Sequence, residues 1–262
     1  MSTAAPSPAV PLDRAAFVKA IAHRGLHSAK TGVIENTGPA FEAGLAAGFG
    51  IECDLQPAAD GTPMVFHDAT LDRLIDTRGR IDKQTPATLA KLTYRQSSAR
   101  ILTLAGLLDL AAGRGPLLVE IKSDWNPPNA DFLRQIATHA KRYKGPLALM
   151  SFDPVVMTVM AELAPKIPRG IVSGVYEDPG WDVAKLGAKR ADRLTHLLES
   201  RAAAPSFYAY DVKALPTPVT RYIRDVQGLP LFTWTVRTAA DRKAAAQHAD
   251  APIFENKKEC RT

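Results

Sequence analysis

Between Ile51 and Asp68 the chain reads IECDLQPAADGTPMVFHD. Glu52 and Asp54 stand two positions apart in an apolar, strand-like run. Side chains of a strand alternate faces, so both carboxylates point one way and Cys53 points the other. Two acids sharing an apolar face repel each other, and burying them unpaired is costly, so the pair calls for a cation. Asp60-Gly61 between two apolar runs is a hairpin signal. It folds the second run, Met64 to Phe66, back toward the first and delivers His67-Asp68 beside the acids. The chemistry suggested is a metal site with an acid/base imidazole next to it.

Other apolar runs end in similar residues. One stops at His23-Arg24-Gly25, another at Glu120-Ile121-Lys122, a third at Ser151-Phe152, and Trp234 lies in a late one. Glu120 and Lys122 repeat the spacing of Glu52 and Asp54 and so share an inward face. Taken singly, each has a plain structural reading. Glu120–Lys122 could be an ordinary ion pair, His23 a hydrogen-bonded core residue, and Asp60 and Asp68 turn formers. Their recurrence at equivalent ends favours one shared site. His27, His139, His196 and His248 keep the structural reading; the last three fall on expected helices.

The elements that position these residues alternate. Strand-like runs at 17–22, from Ile51 onward, and at 117–121, 147–152, 170–172, 207–212, 231–236 and 252–254 are separated by helical patterns. These cover 37–47, 103–112, 129–143, 154–163, 184–200, 217–226 and 239–248. About eight βα units in 262 residues fit a TIM (β/α)8 barrel, whose active sites lie at the C-terminal strand ends. A doubly wound open sheet is the alternative. It is disfavoured because no G-x-G-x-x-G follows the first strand and the polar residues collect at many strand ends. Residues 69–100 break the rhythm with a polar stretch, read as a small inserted cap with solvated charges. We expect a single domain over 14–262 and a flexible N-terminal arm over 1–13.

The formal charge of +6 favours anionic ligands. The basic residues are scattered without aromatic interleaving, which argues against nucleic acid and fits a small phosphorylated substrate. Cys53 and Cys260 are the only cysteines and are expected to be free thiols in a reducing compartment. No signal-peptide pattern opens the chain, and no segment reaches the roughly 20 apolar residues of a membrane span. A cytoplasmic location without stable membrane insertion is expected. Oligomeric state is not legible.

The order HRG, EN, ExD, DGTPMVFHD, VEIK and WTV, from about Ala22 to Val236, resembles the glycerophosphodiester phosphodiesterase family. The resemblance implies a TIM barrel with an inserted cap. It implies that Glu52, Asp54 and Glu120 hold a divalent cation; three hard oxygen ligands suit Mg²⁺ or Ca²⁺ rather than zinc. It implies His23 and His67 as the general acid/base pair, in either order. Arg24 and Lys122 would clamp the phosphate, Glu35 and Asn36 would line the mouth, and Trp234 would wall the glycerol end. The implied reaction is hydrolysis of a glycerophosphodiester to glycerol 3-phosphate and an alcohol. In it the neighbouring glycerol hydroxyl attacks phosphorus and water opens a cyclic phosphate. One departure is visible: Ile253-Phe254-Glu255-Asn256 stands where the family commonly carries an acidic Thr-Asp-Pro-like stretch. A phospholipase D-like enzyme acting on lysophospholipids would want exposed apolar loops, and no convincing one is found. A glycosidase also pairs carboxylates but leaves Arg24, Lys122 and two histidines unexplained. A non-catalytic binding barrel would not need the full set.

Overall fold

The computed structural model describes residues 10–177 and 183–255. Asp13 accepts hydrogen bonds from the amides of Ala15 and Ala16 and caps a short helix, α1 (Arg14–Phe17). The first strand, β1 (Ile21–Ala22), is correspondingly shorter than the expected run over 17–22. Then come α2 (Gly38–Ala46), β2 (Gly50–Pro57), β3 (Pro63–Val65) and, inside the insert, α3 (Pro86–Leu89). The alternation resumes with α4 (Leu104–Ala111), β4 (Leu117–Ile121), α5 (Ala130–Arg142), β5 (Leu147–Ser151) and α6 (Pro154–Leu163). It continues through β6 (Arg169–Ser173), α7 (Val183–Leu186), α8 (Ala188–Thr195), β7 (Phe207–Asp211) and α9 (Pro218–Arg221). β8 (Leu231–Val236), α10 (Ala239–His248) and β9 (Ala251–Phe254) complete it.

β1, β2 and β4 to β9 pair in parallel, and β1 pairs with both β2 and β9, which closes the ring. The result is the expected TIM barrel. β3 lies outside the ring, antiparallel to β2, with Leu55 opposite Val65. The Asp60-Gly61 turn therefore makes the expected hairpin; Gly61 sits at φ +81°, and a Cβ there would come within 2.9 Å of the Phe132 amide nitrogen.

Strand alternation sorts the core into two shells. Ile51, Cys53, Leu55, Val119 and Leu149 pack outward against helices such as α5, which presents Phe132, Leu133, Ile136, Ala137 and Ala140 at helical spacing. Leu118, Met150, Phe207, Phe232 and Ile253 point into the barrel. Leu12 and Phe17 join this inner cluster from below, at the N-terminal end of the strands. Residues 1–9 of the expected loose arm lie outside the described residues. Leu12, within that arm, is buried.

Three further expectations are corrected. The helix expected over 184–200 is broken at Gly187, which takes φ +76°, and ends by His196. The 217–226 helix starts on a Thr217–Thr220 capping box but widens into a π-turn over Tyr222–Val226. The insert is more than a polar surface. Leu71, Ile75, Ile81, Leu89 and Tyr94 form their own buried cluster with Ala58, Met64 and Phe66, which seats the cap on the hairpin. Their spacing follows neither strand nor helix period, so the pattern is hidden in sequence. Among the described residues no helix is long and apolar enough to cross a membrane.

Candidate active site

Because Cys53 and Leu55 face the helices, Glu52 and Asp54 face the barrel interior. Asp54 stands directly opposite Glu120 in the β2–β4 ladder. The three carboxylates of Glu52, Asp54 and Glu120 are buried and offer oxygens that all lie within 4.8 Å of one another. β1 brings His23 alongside: Ala22 pairs with Ile51, so the next rung sets His23 beside Glu52, with its Nε2 3.9 Å from Glu52 Oε2. His67 arrives from the end of β3, its carbonyl held by the Gln56 side-chain amide at 2.9 Å. A cavity of about 170 Å³ opens among His23, Arg24, Glu52, His67, Glu120, Lys122 and Trp234. Phe152 meets Trp234 edge-to-face, with ring centroids 5.3 Å apart, on its apolar side.

Both imidazoles are held the same way. His23 Nδ1 lies 2.7 Å from Glu255 Oε1, and His67 Nδ1 lies 2.6 Å from Asp68 Oδ1. An ionised carboxylate only accepts, so each Nδ1 carries a proton and proton exchange is left to each Nε2. Burial pulls the His23 pKa down, and the hydrogen bond to Glu255 only partly opposes it. Burial would raise Glu255, but its bonds to His23 and Arg237 outweigh that and hold it well below the usual carboxylate range. Neither Asp68 nor Glu255 stood out in the sequence. Asp68 passed as a turn former, and Glu255 as a departure from the family's terminal strand. A carboxylate adjacent to a strand-end histidine was the one available signal.

The cations are engaged with the acids. Lys122 Nζ sits 2.7 Å from Asp54 Oδ1 and 2.5 Å from Glu120 Oε1. Burial works against the Lys122 charge, but the two carboxylates raise its pKa above the ordinary value. Arg24 adopts φ +54° just before Gly25 at φ +78°, a turn few side chains accept. That turn aims the Arg24 amide at Glu52 Oε2, 2.9 Å away. Its guanidinium reaches Glu35 Oε1 at 2.8 Å and lies 3.2 Å from Asp54 Oδ2. Asn36 is buried, and its amide donates to Asp54 Oδ2 at 2.8 Å. Glu35 and Asn36 thus sit behind Arg24 and Asp54, whereas the sequence reading put them in the mouth. Cys53 is buried as a free thiol; Cys260 lies outside the described residues.

The donor set fits a divalent cation. Among the described residues, buried Glu52 Oε1 has no hydrogen-bond partner. Burial, and then the charges of Asp54 and Glu120, push the Glu52 carboxyl well above the ordinary value. Lys122 and Arg24 already answer Asp54, so Glu52 is the acid whose ionised form most needs a further cation. Three oxygen donors and no sulfur or imidazole in the triad suit a hard ion.

A sequence profile of the Glycerophosphoryl diester phosphodiesterase family matches residues 23–256. A Bacillus subtilis protein named glycerophosphodiester phosphodiesterase is 27% identical over 259 residues, covering 90% of this chain and 82% of that one. Bovine glycerophosphodiester phosphodiesterase 1 is 41% identical over 83 residues, a stretch spanning 31% of this chain and 23% of that protein. Among solved structures, a putative glycerophosphoryl diester phosphodiesterase from Silicibacter pomeroyi superposes with a TM-score of 0.73 at 22% identity, covering 94% of this chain and 92% of that one. An Oleispira antarctica phosphodiesterase, solved with its product sn-glycerol-3-phosphate, gives 0.69 at 21% identity, covering 90% and 92%. These two share the fold. Because the profile begins at His23 and runs past Glu255, taking in the whole site, the chain belongs to the glycerophosphoryl diester phosphodiesterase family.

Proposed function

We propose that this protein hydrolyses glycerophosphodiesters to glycerol 3-phosphate and an alcohol, with a divalent cation, Mg²⁺ or Ca²⁺, as cofactor. The observation that carries the reading is the meeting of the Glu52–Asp54–Glu120 triad with two carboxylate-held imidazoles at one barrel rim. Glu52, Asp54 and Glu120 would hold the ion, which supplies charge neutralisation and Lewis acidity at the phosphate. Arg24 and Lys122, at the cavity wall, attract the phosphodiester and orient it. His23, kept neutral by burial, takes a proton from the attacking hydroxyl at Nε2. His67, entering the step with a proton on its own Nε2, gives it to the departing alcohol oxygen, and water then opens the cyclic phosphate with the two proton transfers reversed. Glu255 and Asp68 fix the ring orientations and offset the imidazolium charge as it forms. Trp234 and Phe152 give the glycerol carbons an apolar wall that excludes water.

The test is a panel of glycerophosphodiesters, glycerophosphocholine among them, incubated with Mg²⁺, Ca²⁺ or chelator while glycerol 3-phosphate release is followed. Metal-dependent release is expected. Release of a cyclic phosphate from lysophospholipid alone would replace this reading with the lyase one, and no release from any substrate would end it.

A further inference from the structure

Arg73 belongs to the insert, and its side chain is about half exposed. Exposed arginines usually make loose, dispensable pairs. Arg73 makes four hydrogen bonds to two carboxylates. Nε and Nη2 donate to Asp68 Oδ2 and Oδ1 at 2.6 and 3.1 Å; Nη1 and Nη2 donate to Glu35 Oε2 and Oε1 at 3.1 and 2.7 Å. This is a double fork, one edge of the guanidinium on each acid. Neither acid is spare. Asp68 holds His67 at 2.6 Å, and Glu35 Oε1 also holds Arg24 at 2.8 Å. One planar group from the cap therefore meets both the support of an imidazole and the support of the phosphate clamp. The body of the cap is fixed independently by its apolar cluster, so Arg73 is not needed to seat it.

We infer that Arg73 is a positioning residue that locks His67 and Arg24 into working geometry at once, so that the insert takes part in ordering the site. The inference rests on the hydrolase reading for its kinetic consequence but not for its geometric one. A lysine cannot replace the fork, since an ammonium is a point donor and reaches one carboxylate at a time.

The experiment compares wild type with Arg73→Ala, Arg73→Lys and a cap control, Arg80→Ala, which removes the exposed Arg80–Asp82 pair. Kinetics on the best glycerophosphodiester are paired with nitrogen-15 spectra of the His67 ring in metal-free protein, assigned with His67→Gln. For Arg73→Ala we expect kcat/KM to fall about 10- to 100-fold, the scale of losing an outer partner of a functional side chain. The loss should divide between a lower kcat, from His67, and a higher KM, from Arg24. Added guanidinium should restore part of it, Arg73→Lys should fall between, and the His67 Nδ1–H signal should be lost or exchange-broadened. The control should change none of these. Activity within twofold of wild type with an intact Nδ1–H signal would overturn the inference. So would a loss that guanidinium does not relieve and that leaves the signal unchanged, which would make Arg73 a fold contact only. If wild type cleaves no phosphodiester, the functional reading fails by itself, and the ring signal still decides whether Arg73 orders His67.

Discussion

His23 and Glu255 are separated by 232 positions in the chain, yet Nδ1 of one lies 2.7 Å from Oε1 of the other. Closure of the barrel makes the contact, because β1 pairs with β9 and the His23 amide bonds to the Phe254 carbonyl. Arg237 then grips the same carboxylate through two bonds of 2.7 and 3.0 Å. Glu255→Ala should free the ring and lower kcat/KM by about 10- to 100-fold. Glu255→Gln still accepts a hydrogen bond but cannot offset a forming imidazolium, so it should fall between. Steady-state kinetics of both variants test this; an alanine variant within twofold of wild type would remove Glu255 from the reaction.

His23→Ala and His67→Ala should each lower turnover of a glycerophosphodiester by about 10²- to 10⁴-fold, the usual share of a positioned acid or base. Substrate binding should change less, since Arg24, Lys122 and the triad remain. Near wild-type turnover in both variants would refute the assignment, whatever the geometry.

The inward set was legible because strands impose a period of two. Glu52, Asp54, Glu120 and Lys122 could be placed on one face from spacing alone. The hairpin and most helices were legible from Asp-Gly and the apolar stripes. The supports of the site were not. Glu255 depends on ring closure, and Arg73 depends on an irregular insert whose buried residues follow no period. Glu35 and Asn36, expected at the mouth, bond to Arg24 and Asp54 and do not line the cavity. A strand pattern fixes which face a side chain takes, while a loop residue at positive φ, such as Asn36 at +55°, follows no such rule.

The buried triad makes metal-free stability depend on pH in a definite direction. Burial and the neighbouring acids raise Glu52 well above its ordinary 4.5. The folded state therefore keeps a proton that the unfolded chain releases above about pH 4.5, and unfolding becomes easier as pH rises from there. Asp54 is depressed by Lys122 despite its burial, so its contribution runs the other way and is lost only in acid. Comparing Glu52→Gln with wild type isolates the first effect. In chelator, urea unfolding should give similar stabilities near pH 4 and an advantage to the glutamine variant that grows toward pH 7. Saturating Mg²⁺ or Ca²⁺ should reverse the order, because wild type holds the ion better; at 100 times Kd an ion adds about 2.7 kcal/mol. A wild-type stability that ignores both ions would argue against the triad as a cation site.

The two ends of the barrel should separate under mutation. Phe17 is 2% exposed and packs with Leu12, Ile21, Phe207 and Phe232 inside the lower half. The proposed reacting groups sit at the opposite, C-terminal rim, where parallel barrels carry their sites. Truncating Phe17 removes a ring from a closed cluster whose strands cannot collapse inward, so Phe17→Ala should cost about 3–5 kcal/mol. Leu12→Ala removes less and should cost less, about 2–3 kcal/mol. Urea midpoints should fall for both while kcat, measured well below the transition, stays within about twofold of wild type. A large fall in kcat at full folding would mean that the lower plug sets the geometry of the rim, and that the inner shell transmits strain along the strands instead of absorbing it at the base.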